Sequence, residues 1–149
     1  MKFKFFLLGL CVQFCVIHTN AQTPSPTLDV KQSKKLVFLD SETDIKPTVT
    51  FKSVFENNGT KRGTTTWLFS GREGKDWKYI SGDATTEEVE ILFLKVGNYS
   101  VELAVTFTYD VVLKSGETEI EEDEVAFERE SIVTAANNLD ELTQIHADS

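Results

Sequence analysis

Cysteine and histidine are almost missing from this chain: two of each in 149 residues, at Cys11, Cys15, His18 and His146. The first three lie in a segment that reads as a removable leader. Lys2 and Lys4 form a short basic start, Phe5 to Ile17 an apolar run, and Thr19-Asn20-Ala21 a small-residue cut site. About a dozen apolar residues falls short of the ~20 that a spanning helix needs, so residues 1–21 are expected to be a secretory signal peptide cleaved before Gln22. The cut leaves 128 residues with no cysteine and one histidine. Disulfide staples, Cys/His or Ser/His/Asp catalytic sets and zinc-ligand sets are then excluded. Stability has to come from a core, and a domain of this size can bury roughly 70% of its unfolded surface.

Positive charge is scarce too. The 15 basic residues fall to 13 once Lys2 and Lys4 leave, against 24 acidic, a net charge of −11. Nucleic acid and anionic membrane surfaces select basic patches, so neither is an expected partner. No membrane span is expected after the leader is removed. No cofactor motif is present, and the chain is expected to be non-enzymatic.

What is present is strand patterning. Along Gly97 to Asp110, Tyr99, Val101, Leu103, Val105, Phe107 and Tyr109 share one face, and the other carries mainly polar residues. Side chains on a strand alternate faces, so this is a half-buried strand. Shorter strands are expected at Leu36 to Leu39, Thr48 to Phe55, Thr64 to Phe69, Trp77 to Ile80 and Glu88 to Leu94. A last one starts at Val125, with a bulge near Ile132 and Val133. Asn57-Asn58-Gly59, Ser70 to Lys75 and Lys114-Ser115-Gly116 supply turns. Residues 22–35, with Pro24 and Pro26, read as a flexible lead-in. Residues 36–134 read as one all-β antiparallel sandwich, and residues 135–149 as a tail in which Asn138 caps a short helix bearing Leu139, Leu142 and Ile145.

Trp67-Leu68-Phe69, a glycine-containing turn, an apolar strand and then Gly97-x-Tyr99-x-Val101-x-Leu103-x-Val105 resemble a PKD domain (polycystic kidney disease repeat), an immunoglobulin-like sandwich. Pro47-Thr48-Val49-Thr50-Phe51 matches that family's opening strand, and the resemblance spans roughly Pro47 to Val133. Leu68 and Ser70 to Gly74 depart from the family's W-D-F-G-D-G. The resemblance implies a structural core of Trp67, Phe69, Tyr99, Val101, Leu103 and Val105. It also implies that the Tyr99 hydroxyl bonds backbone across a corner.

Candidate sites are few. Trp77 and Tyr79 share a strand face beside Lys75; exposed aromatics there would stack on a sugar ring or anchor a protein partner, and the alternative is that Trp77 lids one end of the sandwich. Glu117 to Glu124 is almost wholly acidic, so Glu119, Glu121 and Asp123 are candidate calcium ligands, although no D-x-[DN]-x-[DN]-G loop accompanies them. The two Asn-x-Ser/Thr patterns, at Asn58 and Asn98, are ascribed to chance. The expected function is a bacterial exported module, periplasmic or at the surface, acting by protein interaction or adhesion. A carbohydrate-binding module and an inhibitor with an acidic binding surface are the alternatives.

Overall fold

A computed structural model describes residues 23–40 and 45–142. The leader and its cut site lie outside the described residues, as do Ile145 and His146. Among the described residues the regular structure is nearly all strand. In order come β1 (Thr27–Gln32), β2 (Leu36–Phe38), β3 (Thr48–Glu56), β4 (Lys61–Phe69), β5 (Trp77–Ser81), β6 (Glu88–Phe93), β7 (Gly97–Val112) and β8 (Thr118–Ala136). They form two four-stranded sheets, ordered β1-β3-β6-β5 and β2-β8-β7-β4. All neighbours are antiparallel except β2 and β8, which run parallel from Leu36↔Thr134 to Phe38↔Ala136.

Alternation explains which faces are buried. On β7, Tyr99, Val101, Leu103, Val105 and Phe107 are buried, and Tyr109 is half-buried. Val49 and Phe51 of β3 and Val89, Ile91 and Phe93 of β6 are buried on the opposing sheet. Apolar residues of both sheets join in one core cluster. Its centre is aromatic: the Trp67 and Phe69 rings stack at 5.8 Å, and Phe51 lies 5.2 Å from Phe69. Burying a side chain of this size stabilises by about 1.5–3 kcal/mol. The core expected at Trp67, Phe69, Tyr99, Val101, Leu103 and Val105 is therefore where these residues are found.

Sharp reversals carry the chain between the sheets. Asn58 (φ 44°) and Gly59 (φ 87°) make the β3–β4 turn, closed by the Thr60 amide donating to Asn57 O at 2.9 Å. The Tyr99 hydroxyl donates to Lys95 O at 2.5 Å, with Asp76 O at 3.3 Å, pinning the entrance of β7 to the loop before it and to the turn that leads into β5.

Three expectations need correction. Residues 22–35 are not all a loose lead-in, because Thr27–Gln32 pairs with β3 from Thr27↔Glu56 to Gln32↔Phe51 and buries Val30. The tail does not begin at residue 135: Ala135 and Ala136 are buried strand, held by β2. The last strand does not start at Val125: β8 already begins at Thr118 and includes most of the acidic run. The bulge is present: β8 advances from Arg129 to Val133 while β7 moves from Val101 to Tyr99, with Ser131 at φ 51°. A single helical turn, residues 139–142, follows. Asn138 Oδ1 accepts from the Glu141 amide at 3.0 Å, the expected cap. Leu139 on that turn is exposed rather than packed on the sheets.

Candidate functional site

Of the two aromatics whose exposure the sequence left open, Trp77 lies in the core and Tyr79 packs against it. β5 is the edge strand of its sheet, and its alternation turns Trp77 inward. Only 5% of Trp77 is exposed, with its ring 5.4 Å from Phe69 and its Nε1 donating to Ser70 O at 2.9 Å. Tyr79 is half-buried and meets Trp77 edge-on at 5.2 Å. Burial, then Glu73 and Asp83, hold its hydroxyl above the ordinary pKa. Lys75 is exposed in the preceding turn, where Asp76 Oδ2 accepts from the Arg72 amide at 2.8 Å. These three residues make no open platform: the indole face that would stack on a sugar is spent on Phe69 and Tyr79.

The calcium candidates are no better placed. Glu119, Glu121 and Asp123 share one face of an extended strand, where their positions are spread in a row roughly 7 Å apart instead of closing around a single point. The Tyr109 hydroxyl donates to Glu121 Oε2 at 3.1 Å. Among the described residues, no group of three or more His, Cys, Asp or Glu is placed to hold a metal ion.

What does stand out is the β7–β8 hairpin. β4 accompanies β7 only as far as Lys61↔Thr108. From Tyr109↔Glu121 to Val112↔Thr118 the hairpin continues as a two-stranded ribbon. A tight loop closes it, with Leu113 N donating to Glu117 O at 2.8 Å, Gly116 N to Leu113 O at 2.9 Å, and Gly116 at φ 84°. Val112 (55% exposed) and Ile120 (74% exposed) lie on the ribbon's outer face, which also carries Asp110 and Glu122. Further down that face Glu102 and Glu128 are directly opposite, an arrangement that opposes pairing instead of aiding it. Sequence reasoning missed this ribbon. Its signal was two unusually long runs with few breaks flanking Lys114-Ser115-Gly116.

A second polar cluster lies where the sheets meet. Arg62 donates through Nη2 to Ser53 Oγ and, at 2.8 Å, to Thr65 Oγ1, with its guanidinium 5.5 Å from the Phe55 ring. Glu87 is 3.6 Å from its Nε. Buried Ser53 and Thr65 are thereby satisfied, which makes this a structural lock rather than an open site.

No family model, curated protein or solved structure matches the chain. No helix among the described residues is long and apolar enough to cross a membrane.

Proposed function

We propose that this chain is a non-enzymatic, exported interaction module of a bacterial envelope or surface assembly, built as a PKD-like, immunoglobulin-like sandwich. Three observations support the sandwich type. The orders β1-β3-β6-β5 and β2-β8-β7-β4 follow the A-B-E-D and G-F-C orders of that architecture, with β2 as an added first-strand segment beside the last strand. Trp67 is buried on β4, the strand in the position of C. Tyr99 makes the corner bond at the start of the strand in the position of F, two residues before Val101. Val101 thus stands where antibody domains carry the second disulfide cysteine, and aromatic packing takes over the bridging role. Export rests on the leader, and the assignment to protein interaction rests on the projecting ribbon with its exposed Val112 and Ile120.

Affinity capture from envelope extract tests this reading. A stable protein partner should be retained by the wild type and lost by the double variant Val112→Ser, Ile120→Ser, whose circular dichroism stays that of the parent. Equal retention by both proteins, or none by either, refutes it. The inhibitor reading draws on the same acidic ribbon, and it gains if the captured partner is an enzyme whose activity falls on binding.

A further inference from the structure

An exposed sheet edge offers unpaired backbone donors and acceptors to any extended chain that reaches it. Most edges of this molecule are short or bridged. β1 is six residues long. β5 is five, with a register break between Tyr79 and Ser81. β4 is crossed by the 84–86 loop, since the Trp67 amide donates to Ala84 O at 2.8 Å and Trp67 Nε1 to Thr86 O at 2.7 Å. β8 differs. Its outer edge takes β2 only at Thr134–Ala136, and Gln32 Nε2 donates to Ile132 O at 2.8 Å. From Thr118 to Arg129 no strand of the described residues lies beyond it. At about 3.4 Å per residue that is roughly 40 Å of open ladder. Beyond the bulge at Ser131 the same side of β8 already takes a neighbour in β2.

Charge selects the neighbour. Between Thr118 and Glu128 there is no lysine or arginine, while Glu119, Glu121, Glu122, Asp123, Glu124 and Glu128 alternate across both faces. A second copy pairing along the same edge would set carboxylates opposite carboxylates, which is destabilising. In a chain of net charge −9 the long-range field adds to that repulsion. We infer that the β8 edge from Thr118 to Arg129 is a docking edge for an extended, basic segment of a partner protein, which adds as a further strand with lysine or arginine set against these carboxylates. The acids thus exclude self-pairing and select the partner with the same side chains. This inference rests on the interaction reading above and names the chemistry of its partner.

The probe is a peptide of about ten residues alternating lysine and threonine, with an equal-length peptide alternating glutamate and threonine as control. Amide hydrogen exchange is followed on the full mature chain. The lysine peptide should slow exchange within residues 118–129 and leave the β4 and β5 edges unchanged. Its affinity should fall as salt rises, and should drop roughly tenfold at low salt in the variant Glu122→Lys, Glu124→Lys. Slowing elsewhere, no slowing, or equal binding of the glutamate peptide overturns the inference. If the peptide fails while partner capture still depends on Val112 and Ile120, the docking edge falls and the interaction module stands. If both fail, both fall.

Discussion

Replacing Tyr99 by phenylalanine removes one oxygen from a corner and leaves the packing in place. The ring stays 5% exposed and 4.7 Å from Phe93, so the loss is confined to the hydroxyl's bonds to Lys95 O and Asp76 O. A neutral hydrogen bond contributes about 1 kcal/mol net, and leaving a carbonyl without its partner adds to that. The expected cost is about 1–2 kcal/mol, or a Tm lower by about 4–8 °C. Urea unfolding followed by tryptophan emission measures it, with an unchanged m-value showing that the native fold persists. The pH dependence gives an independent check. Burial, and then Asp76, raises the Tyr99 pKa above its ordinary value. The folded state therefore favours the neutral phenol. Its contribution is fully present below the unfolded pKa of about 10 and drains away as pH climbs from there through the folded value. Tyr79 acts in the same direction, so Tyr99→Phe should flatten the alkaline decline in part and the double variant with Tyr79→Phe should flatten it further. A destabilisation below about 0.3 kcal/mol, or an alkaline decline identical to wild type, would refute the corner argument.

Gly63→Ala should cost more than Gly59→Ala. The Gly63 Cβ would meet Thr106 Oγ1 at 2.4 Å and Thr106 O at 3.1 Å, so the Thr106 side chain must turn away from the Thr64 amide it accepts from and its backbone must give slightly, whereas Gly59 at φ 87° has open space and loses only about 1–2 kcal/mol of backbone preference. The reverse ranking in thermal melts contradicts the β4–β7 register. Iodide should quench little of the native emission and much more after unfolding, because Trp67 and Trp77 are both buried; strong native quenching would return Trp77 to the surface. Asp83 accepts from the Thr85 hydroxyl at 2.6 Å and the Thr85 amide at 2.7 Å, which lower its pKa. In Thr85→Ala, NMR titration should find that carboxyl closer to its ordinary value. Its small stabilising effect is present above about pH 4 and fades as pH falls below that.

The strand from Gly97 was legible because one of its faces is sealed and the other wet, the condition under which period two survives in sequence. The same holds for Val89, Ile91 and Phe93. β1 escaped notice since its inward face carries just Leu28, half-buried, and Val30, and two apolar positions make a weak period. Charge in the 118–124 run masked a strand that needs no apolar face, because it is paired along one side and solvated on both faces. The place of Trp77 was left open for a different reason. Alternation puts Trp77 and Tyr79 on one side of β5 without saying which side is the core, and that is decided by Phe69 and Ser70 from the other sheet. The parallel docking of β2 on β8 had no local signal at all, its partners being about a hundred residues apart.

That last contact sets the order in which the molecule can be finished. Leu36 leaves the ribosome about a hundred residues ahead of its partner Thr134. Until then β1 can pair with β3, but β2 has no neighbour in its own sheet. Closure is a final clasp, and clipping the carboxyl end short of Ala136 should undo the beginning of the fold along with its end.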